Sequence, residues 1–186
     1  MGLTVIVGDV HGCAAELEDA LEQLQFAEGY DRLIFVGDLV VRGPDSVGVL
    51  ALARRLEARV VRGNHEDKLL AWHHHARPLG PEHERVARAL SDEDWQMLDQ
   101  MPLWIDLPDH GVRVVHAGVV PGVPIGRAPP DALLKMRTID AHAGWSDEQD
   151  AGPLWGSLYQ GGPHVIFGHN ARAEPQLHDW ATGIDT

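Results

Sequence analysis

Five short segments of the sequence place side chains that can bind metals or phosphate within two residues of a glycine. They cover residues 8–12 (GDVHG), 37–43 (GDLVVRG), 63–66 (GNHE), 116–118 (HAG) and 168–170 (GHN). Glycine lets the backbone turn sharply where a strand ends, so that the adjacent side chain can face a ligand crevice. One such segment alone is typical of an ordinary turn, but five in succession after strand patterns indicate a functional site.

Residues of the first two segments could hold one metal ion. Asp9 and His11 lie two residues apart and can face the same ion from one turn. Asp38 follows a neighbouring strand, and its two carboxylate oxygens allow it to bridge that ion to a second. The second ion can be completed by three residues from separate strand ends: Asn64, His116 and His169.

The ligand types limit the choice of metal. A mixed set of nitrogen and oxygen ligands suits manganese, iron or zinc, whereas calcium and magnesium prefer oxygen alone. The chain also has 12 histidines, and histidine is the commonest transition-metal ligand. We therefore expect two divalent metal ions as cofactors, with manganese first and iron, zinc, cobalt or nickel as alternatives.

The expected reaction is phosphoryl transfer to water. Two ions about 3.5–4 Å apart can hold a hydroxide between them and clamp both ends of an in-line displacement. Arg42, four residues after Asp38, can bind phosphate oxygens as a bidentate fork. His65, next to Asn64, can donate a proton to the leaving oxygen. The residues thus predict a hydrolase of phosphate esters or anhydrides that needs no covalent intermediate.

The elements that position these residues alternate along the chain. Strand patterns cover 3–7, 32–36 and 59–62, and helix patterns cover 14–24, a stretch with Ser46 as N-cap, and 66–75. Ser91 and Asp94 resemble a capping box for a helix over 92–99, later strands are expected at 112–115 and 165–167, and 118–130 and 143–163 are expected to be loops. This order predicts an α/β fold with its ligand crevice at the carboxyl ends of the strands.

Composition narrows the class of protein. The 186 residues suit one domain over 1–186, and the formal net charge of −13 argues against duplex nucleic acid as a partner. The single cysteine, Cys13, excludes an internal disulfide. No apolar stretch reaches the roughly 18 residues of a membrane helix, and no signal-peptide pattern is visible, so we expect no membrane partner and a cytoplasmic location. The oligomeric state stays open.

The five segments resemble the phosphoprotein phosphatase family of dinuclear metallophosphoesterases, over residues 7 to about 170. The resemblance implies a calcineurin-like sandwich of two β-sheets flanked by helices. It assigns the first metal to Asp9, His11 and Asp38, and the second to Asp38, Asn64, His116 and His169.

The resemblance also assigns the residues that act on the substrate. Arg42 matches the phosphate-binding arginine of the family, and His65 matches its proton-donating histidine. Residues 133–137 look like the family helix that supplies a second phosphate-binding arginine, which here is Arg137.

One position departs from the family pattern. Protein serine/threonine phosphatases carry an Asp that supports the catalytic histidine, and this chain has Val41 there. Valine cannot hold the His65 imidazolium by a charge-assisted hydrogen bond. Either another carboxylate does so, with Glu66, Asp67 and Asp45 as unranked candidates, or the leaving group needs less help from an acid.

The departure bears on the substrate. Phosphoanhydrides leave as phosphates, which are far better leaving groups than an alkoxide, and segments 37–46 and 63–71 resemble those of bacterial diadenosine tetraphosphatases. We therefore expect a dinucleoside polyphosphate as substrate. Phosphoserine or phosphothreonine proteins are the main alternative, because residues 62–66 and the small size also resemble bacterial and phage protein phosphatases. Capped RNA, free nucleotides and a non-catalytic metal- and phosphate-binding module stay open.

Two further expectations concern the later part of the chain. Family members continue past a segment like 183–186 into further strands of the second sheet, so either the chain is truncated at its C-terminus or the sheet edge is completed in another way. Trp145 or Trp155, in the glycine- and proline-rich stretches, could stack on an adenine.

Overall fold

The computed structural model describes residues 2–75, 77–142 and 144–186. The chain divides into two compact units, Met1–Met101 and Pro102–Thr186. No helix among the described residues combines the length and the apolar character that crossing a membrane requires.

The first unit alternates strands and helices, as the sequence predicts. Its elements are β1 (Thr4–Val7), α1 (Ala14–Gln23), β2 (Arg32–Phe35), α2 (Ser46–Arg55), β3 (Arg59–Val60), α3 (Asn64–His75), α4 (Pro81–Ala89) and α5 (Asp92–Gln100). The strands form a parallel sheet in the order β1-β2-β3, with Thr4 opposite Arg32 and Phe35 opposite Val60. Because parallel strands end at the same edge, the loops that carry Asp9, Asp38 and Asn64 start side by side.

The second unit contains a five-stranded mixed sheet. Its elements are β4 (Trp104–Leu107), β5 (Val112–Val115), a 3₁₀ turn (Ile125–Arg127), α6 (Pro130–Lys135), α7 (Trp155–Leu158), β6 (His164–Phe167), β7 (Gln176–Leu177) and β8 (Ala181–Gly183). The strand order is β4-β5-β6-β8-β7, in which β5, β6 and β8 run parallel and the two outer strands antiparallel. Two sheets with helices confirm the predicted α/β class.

The start of α2 differs from the prediction. Asp45 caps the helix, because its carboxylate accepts a hydrogen bond from Gly48 N at 2.8 Å. Ser46 is the first helical residue, and its hydroxyl accepts from Val41 N at 2.9 Å. The prediction of Ser46 as N-cap is therefore wrong: the neighbouring carboxylate is the acceptor that also complements the helix dipole. The capping box at the start of α5 is confirmed, with Ser91 and Asp94 as predicted.

Three other expectations are corrected. Helix α3 begins at Asn64, two residues earlier than predicted, and the sequence patterns did not identify α4. The stretches predicted as loops contain the 3₁₀ turn and α7, and α6 begins at Pro130, where the first stretch ends.

Trp155 is only 1% exposed, and its indole N–H donates to Ala117 O at 3.1 Å. It is a core residue of the second unit, so the hypothesis that Trp155 stacks on an adenine is wrong, while Trp145 stays a prediction.

The capping of α2 gives a testable consequence for stability. We expect Asp45→Ala to lower the free energy of unfolding by about 1 kcal/mol, because the first turn loses its side-chain acceptor. Asp19→Ala, which removes an exposed carboxylate within α1, should change it by less than about 0.5 kcal/mol. Urea unfolding followed by circular dichroism measures both. Equal stability of the two variants would contradict the capping role of Asp45.

Candidate metal centre

The first unit gathers metal-binding atoms above the ends of β1 and β2. Donor atoms of His11, Asp38 and His65 lie within 4.8 Å of one another. His11 Nε2 is 3.8 Å from Asp38 Oδ2 and 4.0 Å from Asp9 Oδ2, and His65 Nε2 is 3.9 Å from Asp38 Oδ2. Ligands that share one ion at about 2.0–2.2 Å lie roughly 3–4 Å from each other, so the distances from His11 to Asp9 and to Asp38 are compatible with a shared divalent ion.

The hydrogen bond between His11 Nδ1 and a backbone carbonyl makes Nε2 the nitrogen that can bind a metal. Its Nδ1 is 3.2 Å from Val40 O, and a carbonyl only accepts, so Nδ1 carries the proton. The lone pair of Nε2 then faces Asp38 and Asp9. Arg42 Nη1 lies 3.1 Å from this Nε2 and can donate to the same lone pair, so a metal bound there would replace this contact. A histidine whose second nitrogen donates to a carbonyl is the usual arrangement of a metal ligand.

Backbone hydrogen bonds join the loop after β1 to the loop after β2. Val10 N and His11 N both donate to Asp38 O, at 3.1 and 2.9 Å, and Gly43 N donates to His11 O at 2.7 Å. Both loops need left-handed backbone at residues other than glycine, with φ of 48° at His11, 51° at Asp38, and 70° at Val41 and Arg42. Such conformations are uncommon outside glycine and concentrate at functional sites.

Glu66, which the sequence offered only as a partner of His65, holds this arrangement together. Its fully buried carboxylate accepts four backbone N–H bonds, from Asp38 and Gly63 to Oε2 at 2.9 Å each, and from Leu39 at 2.9 Å and Val40 at 3.3 Å to Oε1. Burial raises the pKa of Glu66 to about 8, the charge of Asp38 adds to the rise, and the backbone N–H groups oppose it.

Close approach also fixes the residue type at position 63. A Cβ added to Gly63 would overlap the Asp38 carboxylate and crowd that of Glu66. On the other side, His65 N donates to Asp38 Oδ1 at 3.0 Å. One oxygen of Asp38 is thus held by the start of α3, which leaves Oδ2 on the side of the two histidines.

Among the described residues, no carboxylate hydrogen-bonds to His65 Nδ1, although Asp38 Oδ2 lies 3.9 Å from its Nε2. Glu66 is committed to the backbone, Asp45 caps α2, and Asp67 lies 3.8 Å from Arg62. Position 41 is a fully buried valine, and His65 Nδ1 is buried without a hydrogen-bond partner in the described part of the chain. Burial lowers the pKa of His65 to about 2, with the nearby His11, His83, Arg42 and Lys68 adding to the decrease, so the imidazole is neutral near pH 7.

A histidine that the sequence patterns did not single out lies against His65. The ring of His83, on α4, stacks on that of His65 with centroids 4.9 Å apart and planes inclined by 6°. The ring of His11 meets His65 edge-on at 5.0 Å. Sequence reasoning missed His83 because α4 itself was not predicted and no glycine-flanked motif marks the position.

The second unit brings together its own predicted residues. His116 is fully buried after β5, His169 follows the neighbouring β6, and their ring centroids are 5.0 Å apart. His169 Nε2 is 3.1 Å from Lys135 O, so this nitrogen carries the proton and Nδ1 is the nitrogen that could bind a metal. Arg137 Nη1 donates to Asn170 Oδ1 at 3.3 Å, next to His169. The assignment of each residue to a metal or to phosphate stays a prediction.

The comparison with protein families agrees with this geometry. The model for calcineurin-like phosphoesterases matches residues 3–176. The chain belongs to the calcineurin-like phosphoesterase family. This confirms the resemblance that the five glycine-flanked segments indicate, and membership of the family implies divalent metal ions.

Two proteins similar in sequence to this chain have the same enzyme name. A symmetrical bis(5'-nucleosyl)-tetraphosphatase of Shewanella sp. (strain W3-18-1) is 39% identical over 120 residues, which cover 62% of this chain and 44% of that protein. One from Shewanella baltica (strain OS155) is 40% identical over 122 residues, with the same coverage. The matched segment therefore spans less than half the length of these relatives.

Solved structures extend the comparison. A protein put forward as a diadenosine tetraphosphatase matches with a TM-score of 0.90 at 39% identity, covering 99% of this chain and 83% of that one. A protein serine/threonine phosphatase from Saccharomyces cerevisiae matches with a TM-score of 0.68 at 16% identity, covering 98% and 66%. The second match shows the shared fold alone.

The role of Glu66 can be tested directly. In Glu66→Gln an NH₂ group replaces one oxygen and meets backbone donors instead of accepting from them, so we expect a loss of about 2–3 kcal/mol in the free energy of unfolding. Weaker binding of manganese, measured by calorimetry, should accompany it because Asp38 loses its support. Glu93→Gln, on the exposed first turn of α5, is the matched control and should change neither quantity. Unaltered stability in Glu66→Gln would show that the loops do not depend on this carboxylate.

Proposed function

We propose that the chain is a dinuclear metal-dependent hydrolase of dinucleoside polyphosphates, with diadenosine tetraphosphate as the leading substrate. Family membership supports metal-dependent phosphate hydrolysis, and the names of its relatives supply the substrate class. The proposal includes one metallophosphoesterase domain over 1–186, manganese as the preferred metal and the cytoplasm as the location, as expected from the sequence.

The observation that carries the choice of substrate is the surroundings of His65. A neutral, buried imidazole whose Nδ1 has no carboxylate partner is a weak source of protons for a leaving alkoxide. A leaving nucleoside diphosphate needs no such proton, because its terminal phosphate is stable as an anion near pH 7. The buried Val41 therefore suits an anhydride better than a phosphoserine or phosphothreonine ester.

The metal ligands proposed are those that the family resemblance implies: Asp9, His11 and Asp38 for the first ion, and Asp38, Asn64, His116 and His169 for the second. When bound, the two ions would supply a nucleophile at neutral pH and neutralise charge on the phosphoryl group. Glu66 and the paired loops keep Asp38 in place for this role.

Two arginines and one histidine act on the substrate in this proposal. Arg42, beside His11, binds oxygens of the reacting phosphate. Arg137 binds a further phosphate oxygen, and Asn170 orients its guanidinium. His65 donates a hydrogen bond to the leaving oxygen. Water attacks phosphorus in line, the bridging phosphoanhydride bond breaks, and one tetraphosphate gives two nucleoside diphosphates.

The first experiment compares two substrates on the chain loaded with manganese. Diadenosine tetraphosphate and a phosphothreonine peptide are supplied in parallel, and the products are separated by anion-exchange chromatography. We expect conversion of the dinucleotide to two ADP at a kcat/KM at least about 100-fold above that of the peptide, which corresponds to about 2.7 kcal/mol of transition-state stabilisation. The reverse ratio would favour a protein phosphatase, and bound metal without turnover of either compound would favour a binding module.

Two substitutions separate the metal ligands from the proton donor. Asp38→Asn should abolish turnover together with metal binding, because the bridging carboxylate is lost. His65→Asn should keep the metal content of the wild type while slowing esters more than anhydrides. His75→Asn, at the exposed end of α3, is the matched control. Metal content by plasma mass spectrometry and kcat with both substrate classes are the measurements, and loss of metal in His65→Asn would contradict the division of roles.

A further inference from the structure

The structure points to His83 as the positioning residue for His65. This inference rests on the proposed function, because it takes His65 as the group that hydrogen-bonds the leaving oxygen. His83 lies outside the five glycine-flanked segments that carry the family resemblance. In our proposal its ring holds the plane of the His65 imidazole by stacking, in place of the carboxylate that position 41 lacks.

The geometry fixes the His65 ring from two sides. The ring of His83 lies parallel to it, inclined by only 6° at 4.9 Å, and the ring of His11 meets it edge-on at 78° and 5.0 Å. Rotation of the His65 ring about its Cβ–Cγ bond would drive it into one neighbour or the other. Stacked and edge-on contacts between flat rings are the arrangements that such pairs prefer.

Helix α4 gives His83 a fixed position. Pro81 starts the helix, and Val86 and Ala87, three and four residues after His83, are buried in the core of the first unit. Residues at i, i+3 and i+4 share one helical face, so the same face that anchors α4 carries His83 inward. The stacking ring is therefore attached to a packed helix and not to a loop.

Unsatisfied nitrogens mark the pair as unusual. His65 Nδ1 and His83 Nε2 are both buried without a hydrogen-bond partner among the described residues. Buried polar atoms are normally paired, and exceptions in a folded protein call for a functional explanation. If a carboxylate oriented His65, its Nδ1 would be satisfied. Stacking accounts for an ordered His65 ring with a free Nδ1, which hydrogen bonding does not.

The test combines substitutions at both histidines. His83→Ala removes the ring, His83→Phe keeps a flat ring without nitrogens, and Arg88→Ala, on the exposed face of the same helix, is the control. We expect His83→Ala to lower kcat for a phosphothreonine peptide by about tenfold, a part of the 10²–10⁴-fold that a positioned acid or base supplies. KM and manganese content should not change, and the effect on p-nitrophenyl phosphate, which needs no proton on its leaving group, should be smaller.

Two results distinguish positioning from a structural role. His83→Phe should recover most of the lost rate, and His83→Ala should have no further effect in a His65→Asn background, because the residue acts only through His65. A purely structural contact predicts equal slowing of both substrates and an additive effect in the double variant, and either finding would overturn the inference. Wild-type protein that turns over no phosphate compound would instead refute the proposed function.

A measurement on the metal-free protein gives a readout independent of activity. The ring current of His83 should move the ring-proton resonances of His65 upfield in proton–nitrogen NMR spectra. We expect His83→Ala to abolish this displacement and His83→Phe to preserve it, while Arg88→Ala leaves the His65 signals unchanged. Identical His65 resonances in the wild type and His83→Ala would show that the rings do not stack.

Discussion

The carboxylate of Glu66 determines where Asp38 lies. Three of the four backbone N–H groups that it binds belong to consecutive residues of the loop after β2, and the fourth belongs to Gly63, between β3 and α3. These donors are buried, so without Glu66 they would have neither water nor a protein acceptor. Satisfying them costs the burial of a carboxyl group beside Asp38, a second acid, which is why the pKa of Glu66 rises to about 8. Glu66 therefore orders the loop after β2, and the cost is that the carboxyl groups of Glu66 and Asp38 lie close together.

The left-handed backbone adds a second, steric cost at the same two loops. Non-glycine residues at positive φ cost of order 1–3 kcal/mol each, and His11, Asp38, Val41 and Arg42 all adopt such φ values. The hydrogen bonds between the two loops and the packing of Val41 into the core hold them there. A divalent ion beside Asp38 would relieve the repulsion between the two acids, so metal binding and loop stability are coupled in this site.

The glycine-flanked residues could be predicted from the sequence because their positions follow from strand ends. Asp9, Asp38 and Asn64 each come directly after a short apolar run and a glycine, and parallel strands bring such ends together. His83 and the capping role of Asp45 could not be predicted in this way. His83 depends on where a separate helix packs, and Asp45 competes with Ser46, which has an equally suitable side chain. Strands β4, β7 and β8 were also missed, because strands of two to four residues carry too little alternation to show a period.

The residue at position 41 affects both the packing of the core and the protonation of His65. The fully buried side chain of Val41 contributes about 1.5–3 kcal/mol of apolar burial. An aspartate there would be buried as well, and its charge would be tolerated only while His65 carried the opposite one. Valine removes this requirement and leaves His65 neutral, ordered by its neighbours' rings rather than by an ion pair. Such a site gains stability in the apo state and loses power as a general acid. That loss would matter for alkoxide leaving groups and hardly at all for phosphates, so the buried Val41 agrees with the anhydride substrate proposed above.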